Sequence, residues 1–319
     1  MNESSTRDTL TFTVYLDIGS ARYVLLAIVI LIYFATVLAN VTLMLLIFLD
    51  TSLHKPMYIF VFSLILNGLI GSTAVWPMVM KILLTNTPLI SYEGCLIQTF
   101  IIITYGACNY SMLTVMAYDR FVSIFKPLQY HTIMTPKKVM QLLFVANFSP
   151  TALMFFQICL SSQLTLCRYK INKLYCDNLA ITRLSCGDSQ AIKHQVSNLY
   201  GIVNIILIVA LPVVLILLSY VKIIMLSFKA SRNARQKTFE TCFPHIIIFI
   251  NFSLVTLFSL LYNRFNEYLP GQVNILNSIN YILVPPLLHP IIYGLKTQEI
   301  RQRFSRAWRK TVRNHVNLL

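Results

Sequence analysis

Residues 116–130 read MAYDRFVSIFKPLQY and set an acid, Asp119, beside an arginine, Arg120, at the end of a long apolar segment. A charged side chain at membrane depth is costly and is usually paired or turned to a polar cavity. The pair therefore marks either a functional site or an interfacial charge pair that merely ends a helix. Across the whole chain, 56% of residues are hydrophobic and only 12% are charged, far from the soluble norm. Seven apolar stretches reach the roughly 20-residue length that a spanning helix needs. They cover 23–49, 57–83, 95–122, 139–160, 197–226, 239–262 and 273–295. Long unbroken runs, rather than short alternating ones, favour helices over a membrane barrel. The expected fold is all-α, a seven-transmembrane helix bundle forming a single domain over residues 1–319.

The opening string also resembles the signature that closes the third transmembrane helix of olfactory receptors, a branch of the rhodopsin-like G-protein-coupled receptors. The family pattern is Met-Ala-Tyr-Asp-Arg-Tyr-Val-Ala-Ile-Cys, then Pro-Leu-x-Tyr. This chain keeps Met116, Ala117, Tyr118, Asp119, Arg120, Val122, Ile124, Pro127, Leu128 and Tyr130, and differs at Phe121, Ser123 and Phe125. In that family the neighbouring acid holds the arginine at rest, and the arginine turns toward the G protein in the active state. The resemblance implies those roles for Asp119 and Arg120.

Charge gives the expected orientation, because cytoplasmic loops carry the excess of Lys and Arg. With residues 1–22 outside and 296–319 inside, the inner segments hold 17 of the 26 basic residues and four of the 11 acids. The net charge of +15 is thus a topology signal and an attraction to anionic membrane lipids, with no indication of nucleic-acid binding. The N-terminal twenty residues lack the pattern of a signal peptide, so the first helix is expected to serve as its own signal. Asn2 opens a glycosylation sequon on the outer side. The matches at Asn147 and Asn251 lie within expected helices and are read as chance.

Cys95 starts the third span, and Cys167, Cys176 and Cys186 share one outer loop. Four cysteines allow three pairings, and spacing does not choose among them. The loop resembles the long second outer loop of olfactory receptors, which implies bridges Cys95 to Cys176 and Cys167 to Cys186. Cys108, Cys159 and Cys242 fall within spans and read as buried thiols.

Asn40 and Asn67 are polar side chains that can bond across helices. The turn Leu53-His54-Lys55-Pro56-Met57-Tyr58 resembles the family's first inner loop. The fifth and sixth spans are joined by a short basic linker, SFKASRNARQKTFETCFPH. Lys237, Thr241, Cys242 and His245 resemble the family's Lys-Ala-x-x-Thr-Cys-x-x-His. By spacing alone His245 is an ordinary core histidine; the match implies a place near the activation switch. Ser219 and Tyr220 match too, which implies that Tyr220 faces Arg120 in an active state. The last span ends His289-Pro290-Ile291-Ile292-Tyr293, where the family has asparagine before the proline. Pro290 is a natural kink, and Pro290 and Tyr293 complete the implied switch. Beyond it, Thr297 can cap a short amphipathic C-terminal helix in which Ile300, Phe304 and Trp308 recur among four arginines, the pattern of a helix lying on the membrane.

Helices aligned by these motifs put Thr104, Gly106, Ala107, Cys108, Asn204 and Thr256 near the inner faces of the outer half. Such a pocket is mostly apolar with a few polar anchors. Arg264, at the outer end of the sixth span, is either a solvated loop charge near Glu267 or a grip for a carboxylate. No P-loop, GxGxxG, HExxH or close carboxylate pair suggests an enzyme or a proton path, and no metal or cofactor is implied. The implied function is an odorant receptor of the fish-like class in the plasma membrane, with a small-molecule odorant and a stimulatory heterotrimeric G protein as partners and cyclic AMP as the output. A non-olfactory rhodopsin-like receptor and a small channel or transporter are the alternatives. Neither accounts for the Pro-Met-Tyr turn, the three-cysteine loop and the Thr-Cys-x-x-His string together.

Overall fold

The computed structural model describes residues 9–16, 18–186, 191–229, 231–265 and 271–316; the side-chain surroundings of 234, 237, 261–265, 271–275, 307–308 and 310–316 lie outside that description, as does the Asn2 sequon. The helices in chain order are α1 (Arg22–Leu49), α2 (Pro56–Thr73), α3 (Trp76–Thr85), α4 (Tyr92–Phe125), α5 (Tyr130–Ile133), α6 (Pro136–Ser162), α7 (Asn178–Leu184), α8 (Ala191–Ile205), α9 (Leu211–Phe228), α10 (Arg232–Phe265), α11 (Gly271–Lys296) and α12 (Gln298–Val316). Seven stretches are helical, long and apolar enough to cross a membrane, from Gly19–Leu49 to Leu276–Lys296. They form a bundle, with α4 at its centre against α2, α6, α9 and α10. The exposed apolar side chains of α1 and α9, such as Phe34, Phe48 and Leu217, suit a lipid solvent.

Three spans depart from single helices matching their apolar runs. The second breaks at Ala74 and Val75, just before Pro77 at the start of α3. The carbonyl of Ala74 at that break accepts from Gln98 Nε2 at 2.9 Å. The fifth span widens into a π turn at Ile206–Ala210 ahead of Pro212. The sixth begins earlier than its apolar run: α10 starts at Arg232, so the basic linker is mostly helix and only residues 229–231 separate α9 from α10.

The N-terminal segment is not the plain polar tail its composition suggests. Residues Thr9–Phe12 form β1, antiparallel to β2 (Leu89–Ser91) and parallel to β3 (Lys170–Ile171). Alternation buries Leu10 and Phe12 completely, in a cluster with Trp76, Val79, Cys95, Cys176 and Ile181. Tyr15 Oη fixes the segment by donating to the Leu174 carbonyl at 2.7 Å. Two disulfides hold the same end, Cys95–Cys176 and Cys167–Cys186.

Pro290 lacks an N–H, so the Pro286 carbonyl one turn earlier has no donor within α11. Asn40 of α1 supplies it: its Nδ2 donates to Pro286 O at 2.8 Å and to Thr36 O at 2.7 Å. At the opposite end from the sheet, Glu299 of α12 accepts from Lys55 Nζ at 2.7 and 2.9 Å and from Tyr58 Oη at 2.8 Å. Ile300 is buried against the bundle, whereas Phe304 is exposed.

Candidate functional site

The Asp119 carboxylate is completely buried, and both of its oxygens are satisfied. Arg120 donates to Oδ2 through Nη2 at 2.6 Å and Nε at 3.1 Å, and Tyr130 Oη donates to Oδ1 at 2.7 Å. A buried carboxylate is tolerated only when paired and hydrogen-bonded in this way. Tyr130 reaches it from α5, which the Pro127–Gln129 turn brings back under the end of α4. One layer deeper, His245 Nδ1 and Tyr293 Oη share a hydrogen bond of 3.0 Å between α10 and α11, and both side chains are buried. Tyr220 of α9 is buried in the same apolar cluster as Tyr293, Cys242, Met116 and Val122. The structure thus brings Asp119, Arg120, Tyr220, His245 and Tyr293 to one end of the bundle.

Toward the sheet-bearing end, several polar groups are buried without a hydrogen bond of normal geometry. Thr104 Oγ1, Tyr105 Oη, both amide atoms of Asn204 and Thr256 Oγ1 are among them. Thr256 and Ser253 lie beside the Tyr110 hydroxyl. Unsatisfied buried groups cost free energy, and a bound water or polar ligand is one way of meeting them. Gly106 has a steric reason: a Cβ there would sit 2.3 Å from Tyr281 Oη, so glycine lets α11 press its tyrosine against α4. The Tyr105 and Tyr281 rings meet edge to face at 6.0 Å. Ala107 packs with Met154 and Ile208, and Cys108 Sγ lies 3.7 Å from Asn147 O, so these two face the neighbouring helices α6 and α8–α9. The Arg264 side chain and Glu267 lie outside the described residues.

A family model described as olfactory receptor matches residues 29–310. The chain belongs to the olfactory receptor family. It is 35% identical to human olfactory receptor 52D1 over 274 residues, which cover 85% of each chain. Human olfactory receptor 52K1 is 34% identical over 272 residues, again 85% of each, and human olfactory receptor 51E1 is 32% identical over 278 residues, 87% of this chain and 86% of the relative. The protein is therefore a receptor rather than an enzyme, and a multi-pass protein of the plasma membrane.

Several residues of this receptor matter to the two ends without having stood out in the sequence. Tyr130 was visible only as a motif member, yet it is the second donor to Asp119. Gln98 clamps the loop between α6 and α7, accepting from the Cys176 amide at 2.9 Å while donating to Ala74 O. Asn67 and Asn109 both donate to the Tyr105 carbonyl at 2.9 Å, which fixes the start of the polar layer. His289, where the family has asparagine, is buried in α11 with neither ring nitrogen hydrogen-bonded to a described residue.

Proposed function

We propose that this receptor binds a small odorant in the half of the bundle nearest the sheet and, when bound, activates a stimulatory G protein that raises cyclic AMP. The N terminus faces the outside and the C terminus the cytoplasm, in line with the distribution of basic residues. The observation that carries the reading is the saturated Asp119 carboxylate, which holds Arg120 by two hydrogen bonds at the inner end of α4. An arginine held this way is a switch at rest: releasing it frees a cation at the mouth between α4, α9 and α10. The His245–Tyr293 bond is a second clasp, joining α10 to α11 in the same state.

An odorant drives the change only by binding the released arrangement more tightly than the latched one. Thr104, Asn204 and Thr256, the last beside the Tyr110 hydroxyl, are the polar anchors available to it, and Tyr105, Tyr281 and Phe252 supply the apolar walls. The test is a cyclic AMP assay in transfected cells against amino acids, fatty acids, amines, bile acids and neutral volatiles. A concentration-dependent response to one class, absent in mock-transfected cells, is expected; silence across the panel from a receptor shown to be at the surface would count against the reading.

A further inference from the structure

At the inner end of the bundle, α10 and α11 leave a cleft of about 270 Å³ lined by Phe239, Glu240, Phe243 and Lys296. Two of its walls are aromatic and open: Phe239 is 39% and Phe243 48% exposed. The other two are opposite charges, and among the described residues neither has an ion-pair partner. Glu240 accepts from Gln236 Nε2 at 2.9 Å, and Lys296 lies over the Phe243 ring at 6.0 Å from its centre. The level of the cleft is fixed by the chain itself, since the apolar run of the sixth span begins at residue 239, just after the basic RNARQK turns, and α11 ends at Lys296. That is the depth at which hydrocarbon gives way to headgroups.

We propose that this cleft binds a zwitterionic aminophospholipid of the phosphatidylethanolamine type. Its phosphate pairs with Lys296, its ammonium with Glu240, and the start of one acyl chain lies across Phe239 and Phe243. One cation and one anion over an apolar floor match a headgroup that carries both charges. An anionic headgroup would meet Glu240 as repulsion. The choice of a primary ammonium over choline rests on hydrogen bonding. Glu240 offers its carboxylate and, in addition, a backbone carbonyl that has no donor within α10, because Pro244 one turn later has no N–H. An ammonium with N–H groups can donate to both, and a quaternary one to neither. The cleft lies just under the roughly 300 to 1,000 Å³ of small-ligand pockets, which suits a headgroup and the first part of one chain rather than a whole lipid.

The test is native mass spectrometry of the purified full-length receptor, titrated with phosphatidylethanolamine, phosphatidylcholine and phosphatidylglycerol of identical chains. Wild type is expected to retain phosphatidylethanolamine roughly tenfold better than either of the others, as charge-assisted hydrogen bonds imply. Lys296→Gln should bring its retention down to the phosphatidylcholine level. Glu240→Gln should reverse the order in favour of phosphatidylglycerol. Each variant is compared as monodisperse protein with both disulfides intact, so that misfolding is not read as lost binding. Equal retention of the three lipids by wild type, a wild-type preference for phosphatidylglycerol, or an unchanged order in both variants would overturn the proposal.

Discussion

The side-chain amide of Asn40 donates to the carbonyl of Pro286 at 2.8 Å, the acceptor that Pro290 leaves without a partner in its own helix. A proline in the last span thus has its cost met from the first. That bond can be removed separately from the proline.

Asn40→Ala should therefore lower stability by about 1 to 3 kcal/mol, the usual penalty for leaving a buried acceptor unsatisfied. Pro290→Ala restores the missing N–H, so the same Asn40→Ala change should cost less in that background. Thermal unfolding of the four proteins in one detergent measures the coupling; strictly additive effects would mean that the two residues act independently.

Tyr130→Phe removes one of the two groups that satisfy the Asp119 carboxylate. A hydrogen bond to a charged group is worth about 1.5 to 3 kcal/mol, so the latched arrangement should lose roughly tenfold in population relative to the released one. Basal cyclic AMP should rise at equal surface expression. Unchanged or reduced basal output would separate Tyr130 from the latch.

The two bridges should differ in weight. Cys95–Cys176 closes a separation of 81 residues and Cys167–Cys186 one of 19. Chain-entropy estimates give about 4.5 and about 3 kcal/mol respectively. Surface display of Cys95→Ser should fall further than that of Cys186→Ser, as counted by antibody on intact cells. The reverse order would show that loop length does not govern the cost here.

Glu299 carries a pH dependence whose sign can be worked out. Burial opposes its charge, but hydrogen bonds from Lys55 and Tyr58 and the nearby Arg303 outweigh that and hold its carboxyl below the ordinary 4.5. Its contribution to docking α12 is thus fully present above that value and is lost as pH falls through the lowered one. Amide exchange of residues 298–306, corrected for intrinsic rates, should accelerate at acid pH in wild type. In Glu299→Gln it should already be fast at neutral pH. Protection that ignores both pH and the substitution would show that α12 is held by its other contacts, such as Ile300 and the Arg303–Asp50 pair.

Most of the membrane architecture was legible in the chain because it rests on local properties: run length and a contiguous motif. What could not be read depends on partners far apart. The segment around Leu10 and Phe12 looks polar because Thr and Asp surround it, and its strand exists only through pairing with residues about 80 and 160 positions away. The early start of α10 was hidden because the first turns, RNARQK, are basic; apolar run length marks what lipid surrounds, not where helix begins. Motif alignment singled out Thr104, Asn204 and Thr256 but not Tyr281, since its contact with α4 depends on the absent side chain of Gly106. Tyr130 paired with Asp119 was invisible for a similar reason: the reversal at Pro127 sets the two eleven positions apart yet 2.7 Å away.

The most direct measurement is ligand-stimulated cyclic AMP from Arg120→Ala at surface expression matched to wild type. The account predicts that the response to any agonist found for wild type is abolished while the receptor still reaches the membrane, because the freed guanidinium is what the G protein meets. An undiminished response at equal expression would contradict it.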